Sequence, residues 1–149
     1  MQHKIIAAVA ALTATMSFTA LAQTTPEDAH DYRVAVMTAL RGHIGAASMI
    51  ARGLVSNDGH LVGHAKGLDS AANELHRVFQ EGSAVVESEA LPAIWDDADG
   101  FAAAIAAMTE ATAAFVEAAE GGDGQAIGAA FRNVGMSCRG CHDDYRVQN

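Results

Sequence analysis

Cys138, Arg139, Gly140, Cys141 and His142 stand in the order C-x-x-C-H near the end of the chain. Each position suits covalent attachment of haem. Each thiol can add to one vinyl group of a porphyrin, giving two thioethers. On a helix, residues three apart share a face, so both sulfurs can reach one edge of a flat ring. The next residue, His142, can bring an imidazole nitrogen onto the iron. This spacing is the attachment motif of c-type haem. Other uses of the two cysteines fit less well. A thioredoxin-like redox pair sits near a β-α-β pattern, and none is visible. A structural zinc site needs a fourth ligand at motif spacing, and the nearest upstream histidine is His76. A Cys138–Cys141 disulfide would close a tight loop within a helix and staple nothing distant.

The elements that must carry this motif read as helices. Thr25-Pro26-Glu27-Asp28 is a helix start: threonine can cap, proline suits the first turn, and the acids complement the dipole. Ala29, Tyr32, Val36, Leu40, Ile44, Ala47 and Ala51 then recur in steps of three and four, which mark one helical face. Gly53 is the expected stop, giving a first helix of about Pro26 to Arg52. Ser56-Asn57-Asp58-Gly59 is a turn cluster. A second helix carries Leu61, Ala65, Leu68, Ala72, Leu75 and Phe79. Gln80 to Leu91 has no sustained period and reads as a connection. The third helix begins at Pro92 and carries Ile94, Ala98, Phe101, Ile105, Met108, Phe115 and Ala119. Gly121-Gly122-Asp123-Gly124 breaks the chain, and a fourth helix holds Ile127, Phe131, Val134, Cys138, Cys141 and Tyr145. Long amphipathic helices with short connections predict an all-α fold, an antiparallel up-down-up-down four-helix bundle, with the covalent haem near its C-terminal helix.

Residues 1–22 read as a segment outside this fold. Lys4 precedes an uncharged, mostly apolar run from Ile5 to Phe18, and Ala20-Leu21-Ala22 suits signal-peptidase cleavage. The run is shorter than the ~20 residues of a membrane span, and no later segment reads as long and apolar enough to span. The expectation is a cleaved signal peptide, a single domain over residues 23–149 and an exported, periplasmic protein. The 149 residues carry a net charge of −9, from 18 acidic and 9 basic residues. That balance lacks the basic footprint of a nucleic-acid binder and disfavours anionic membrane surfaces. Aromatic residues are 5% of the chain while hydrophobic residues are 50%, so alanine must fill much of the core. Glycines such as Gly42, Gly45, Gly63 and Gly67 are expected to leave space between helices for a flat apolar porphyrin. No nucleophilic triad, phosphate loop or paired-carboxylate arrangement stands out, so hydrolysis and phosphoryl transfer have no support and the expectation is a haem protein that is not an enzyme. His60 and His64 stand four apart on one helix face, a spacing that can hold metal. Two histidines are not a site, so the reading there is a solvated pair. His30, His43 and His76 carry no motif.

The chain resembles the cytochrome c prime family. Pro26-Glu27-Asp28-Ala29 and Tyr32-Arg33 match its opening helix, and Pro92-Ala93-Ile94-Trp95 with Phe101 matches its proline-x-isoleucine-tryptophan segment. Cys138 to His142 followed by Asp143-Asp144-Tyr145-Arg146 matches its last helix. The motif's place at the C-terminal end is more specific than the motif itself. The resemblance implies a four-helix bundle, often a homodimer, holding one haem c with His142 as proximal iron ligand. It implies that Arg33 pairs with a haem propionate, that Phe79 and Phe101 line the pocket and that Arg146 lies near the proximal face. The distal position falls on Met37. Some relatives ligate iron through such a methionine and are low-spin; in others the iron is five-coordinate and binds nitric oxide or carbon monoxide. Both states of Met37 stay open, and with them one-electron transfer or gas binding as the role. A redox partner docking through charge is expected to present a basic patch.

Overall fold

The computed structural model describes residues 24–148, and the reading of residues 1–22 as a signal peptide lies outside them. The first helix, α1, is Pro26–Ala51. The Thr25 hydroxyl accepts from the Asp28 N–H at 3.0 Å, and Pro26, Glu27 and Asp28 fill the first turn as expected. At the other end Arg52 caps the helix, and Gly53 turns the chain with φ of +71°, a left-handed conformation that suits glycine.

The second expected helix is two pieces, α2 (His60–Ala72) and α3 (Leu75–Val78). The ladder ends at Asn73. Its N–H still makes the helical bond to the Asp69 carbonyl at 3.0 Å, but its side chain donates to that carbonyl too, at 2.8 Å, and the Glu74 N–H turns to the Ala71 carbonyl, three residues back, at 3.2 Å. Such local side-chain bonding competes with helix propagation. The third expected helix also divides, into α4 (Ala93–Asp96) and α5 (Ala98–Gly121). Asp97 leaves helical geometry and becomes the cap of α5, accepting from the Gly100 N–H at 3.2 Å. Gly122, at φ of +74°, closes α5. Asp123 then caps α6 (Gly124–Tyr145), accepting from the Ala126 N–H at 2.7 Å.

The long elements α1, α2, α5 and α6 pack in chain order as an antiparallel four-helix bundle, closed by contact between α1 and α6. No strand occurs among the described residues, only an isolated bridge between Ala90 and Arg146. The core joins large side chains (Leu61, Leu68, Phe115, Val134) to fully buried alanines at 47, 65 and 72. Thr112 is also fully buried, and its hydroxyl reaches the Asp69 carboxylate at 3.0 Å.

Two expectations are corrected. First, Gly42, Gly45 and Gly63 are exposed and open no space between helices; Gly67 instead meets the ring of His43. Second, α1 and α5 are each long and apolar enough to cross a membrane by length and composition. Val34, Val36, Leu40, Ile44 and Ile50 raise the hydropathy of α1 and a run of alanines that of α5, and both helices pack into the bundle.

Candidate haem site

The motif residues sit in the last two turns of α6. Cys138 and Cys141 are free thiols, both half-buried, on the side of the helix that also buries Val134 and Tyr145. Cys138 packs against the main core, with its Sγ 3.8 Å from the Met108 sulfur. Cys141 packs against a second apolar cluster formed by Ile94, Phe101 and Tyr145, with Phe79, Trp95 and Ile105 around it. Burial pushes both thiols above their ordinary range, and at Cys141 the neighbouring Cys138 and Asp144 add to it. His142 is half-buried beside them. Burial first, then the Arg146 charge, hold its imidazole below the usual histidine range, against the opposing pull of Asp143 and Glu89. A neutral imidazole is the form that ligates a metal.

Beside this second cluster lies a cavity of about 460 Å³, lined by Phe79, Ile94, Trp95, Phe101 and Ile105, with His76 and Glu81 among the polar residues at its wall. Three aromatic rings of the cluster stack edge to face, Phe79 against Phe101 at 4.8 Å and Phe101 against Tyr145 at 5.0 Å, and the first two of them line the cavity. The Trp95 indole donates to the Phe79 carbonyl at 3.4 Å, tying α4 to the end of α3. A mostly apolar cavity next to Cys141, with Cys138 one turn earlier on the same helix, fits a flat apolar group bound through two sulfurs.

Arg33 is buried on α1 and is not a solvated surface arginine. Its guanidinium lies 5.2 Å from the centre of the Phe79 ring. It donates to the Val78 carbonyl at 3.3 Å, the Ser83 hydroxyl at 2.9 Å, the Ser83 carbonyl at 3.0 Å and the Ser88 hydroxyl at 3.1 Å. All these partners are neutral, and among the described residues Arg33 joins no ion pair. Arg146 follows the end of α6 in extended geometry and holds Glu89 through Nε at 2.8 Å and Nη2 at 2.5 Å. The Leu91 N–H donates to the Tyr145 carbonyl at 3.0 Å, and the Val147 N–H to the Glu89 carbonyl at 2.8 Å. The tail is thus strapped onto the 79–91 connection. Met37 is half-buried on α1 and packs against the main core, as Cys138 does.

Ser83, Ser88, Glu89 and Met108 were not legible as site residues. The first three lie in a stretch with no period, and Met108 reads as one more core position. The serines and acids clustered between Glu81 and Glu89 are the sequence signal that the first three carry.

The model of the family described as "Cytochrome C'" matches residues 28–146. The chain belongs to the cytochrome c prime family. It is 32% identical over 145 residues to a cytochrome c' of Rhodospirillum rubrum, covering 96% of each chain. It is 37% identical over 122 residues to cytochrome c-554 of Cereibacter sphaeroides, covering 78% of this chain and 79% of that one. Among solved structures, a ferrous variant of the cytochrome c prime of Alcaligenes xylosoxidans with bound NO superposes with a TM-score of 0.80 at 29% identity, over 85% of this chain and 99% of that one. Members of the cytochrome c prime family are c-type haem proteins, so the cofactor is one covalent haem c with its iron. The bundle, the cavity and the cysteine pair are all consistent with that cofactor.

Proposed function

We propose that this cytochrome c prime is an exported, periplasmic one-electron carrier. Cys138 and Cys141 form the thioethers and His142 ligates the iron from the proximal side. Bound haem would supply one-electron redox chemistry. The chain supplies the surroundings. Phe79, Ile94, Trp95, Phe101 and Ile105 give the cavity an apolar wall against which the ring would pack. Arg33 offers a buried positive charge whose present partners are all neutral, which suits a propionate as its counter-ion. Arg146, held by Glu89, stands near His142 and favours its neutral form.

The observation that carries electron transfer is Met37. Its side chain packs inward from α1 onto the same cluster as Cys138. A thioether at that position would suit ligation of the haem iron, which would raise its reduction potential. The visible spectrum of the reduced protein tests this. Sharp low-spin bands that turn high-spin in Met37→Leu support ligation, and an unchanged spectrum in that variant refutes it.

A second reading has its own support. Solved relatives include nitric oxide and carbon monoxide complexes of cytochrome c prime. If Met37 leaves the iron free, the protein binds such a gas instead, and a broad spectrum that shifts on adding carbon monoxide identifies that state. Under either reading residues 1–22 direct export, and a second copy completes a homodimer. A redox partner would dock on this acidic surface through a basic patch.

A further inference from the structure

Two of the histidines that the haem reading leaves over meet. His43 on α1 and His64 on α2 place their Nδ1 atoms 3.2 Å apart. Their ring centres are 5.5 Å apart and the planes are tilted by 58°. The centre-to-centre distance exceeds the nitrogen separation by about two ring radii, so each Nδ1 points along the line joining the rings. Both side chains are half-buried. Gly67 seats the pair: a Cβ there would lie 2.4 Å from Cε1, 2.5 Å from Nε2 and 2.8 Å from Nδ1 of His43. Only a residue without a side chain lets the His43 ring take this place. His60, exposed at the start of α2, stands four residues before His64 on the same helical face.

This pair is separate from the haem site. His43 lines a groove of about 380 Å³ between α1 and α2, with Ala35, Ala39, Gly67, Ser70 and Glu74 on its walls. The cavity beside Cys141 is lined by residues of α3, α4 and α5 and their connections.

We propose that His43 and His64 bind one late first-row transition-metal ion, Zn²⁺ or Cu²⁺, with His60 as the third donor. Imidazole nitrogens hold Zn²⁺ at about 2.0–2.1 Å, so two nitrogens 3.2 Å apart subtend about 100° at the ion, between square and tetrahedral. Each ring must turn by about 40° from its head-on alignment for both lone pairs to meet the ion. The proton that one Nδ1 carries in the hydrogen bond moves through solvent to Nε2 of the same ring, so both imidazoles enter as neutral ligands. Among the described residues no three metal-ligating side chains are already gathered. The ion therefore meets two preset ligands, and His60 and water complete the shell. The acidic surface of the protein, with Glu74 in the adjoining groove, favours a cation there.

Calorimetric titration of the haem-loaded protein with Zn²⁺ tests this, with the visible spectrum followed throughout. One saturable 1:1 site is expected, with the haem bands unchanged. His43→Ala and His64→Ala each weaken it about tenfold or more, and His60→Ala about threefold. Gly67→Ala keeps every histidine but displaces the His43 ring, and it weakens binding as His43→Ala does. His30→Ala leaves the isotherm unchanged. Circular dichroism confirms that each variant is folded. The absence of a saturable site overturns the proposal, as does a site that survives His43→Ala, His64→Ala and Gly67→Ala alike. Since the readout is Zn²⁺ binding, failure of the electron-transfer reading leaves this result standing, and the converse holds.

Discussion

Arg33 donates to both the hydroxyl and the carbonyl of Ser83, at 2.9 and 3.0 Å, across 50 residues of sequence. The contact fixes the 79–91 connection onto α1, directly behind the Phe79 ring. The connection has no helix of its own over residues 79–91 to hold it, so these bonds do. Burial lowers the Arg33 guanidinium from its ordinary value, yet arginine stays charged at neutral pH. Removing a partner therefore leaves a buried cation less well satisfied.

Ser83→Ala is expected to destabilise the protein by about 1–2 kcal/mol, because a buried bond to a charged group is lost. Arg33→Met should cost more, about 2–4 kcal/mol, since several buried acceptors lose their donor together. Denaturant unfolding measures both. Equal stability in Arg33→Met and wild type would show that the cluster does not hold the connection.

The core should be intolerant of large-to-small changes. Phe115 is fully buried and meets Phe131 at 5.6 Å. Phe115→Ala is expected to cost about 3–5 kcal/mol, since the buried alanines of this core have only methyl groups with which to fill the gap. A loss below about 1 kcal/mol by denaturant unfolding would mean that the helices collapse onto the space.

Replacing both Cys138 and Cys141 by alanine should abolish covalent attachment. Acid-acetone extraction is expected to leave haem with the wild-type chain and to strip it from the double variant. The variant should also melt at lower temperature, because the cavity beside Cys141 loses its filler. Haem that washes out of the wild type by the same extraction would exclude thioether linkage.

Tyr145 closes the end of α6 onto α5, its hydroxyl donating to Asp97 at 3.2 Å. Because Asp97 also caps α5, one carboxylate positions both elements around the Phe101 ring. In Tyr145→Phe the ring stacking survives and the hydroxyl bond does not. Amide exchange should quicken at the last turn of α6 and the first turn of α5, with the four-helix core unaffected. Unchanged exchange at both ends would show that the ring alone holds this corner.

Much of this protein was legible before its structure. C-x-x-C-H has its meaning wherever it occurs in a helix, because three-residue spacing turns two thiols to one side. The bundle was legible from the three-and-four spacing of Val36, Leu40, Leu61, Leu68, Phe115 and Val134, since that period admits no other regular element. The cap at Thr25 and the break at Gly121 to Gly124 are local chemistry and were equally readable. The breaks at Asn73 and Asp97 were not, because both interrupt a continuing apolar period and depend on where one side chain finds a carbonyl or an N–H. Contacts between distant residues lie beyond any periodicity. Arg33 with Ser83 and Ser88, Arg146 with Glu89, and His43 with His64 over Gly67 each join groups that share no local pattern. Sequence by itself determined which side chains could do chemistry and which helices would carry them. Tertiary structure decided which of them meet, because only the packing of α1 against α2 and the 79–91 connection brings those groups within bonding distance.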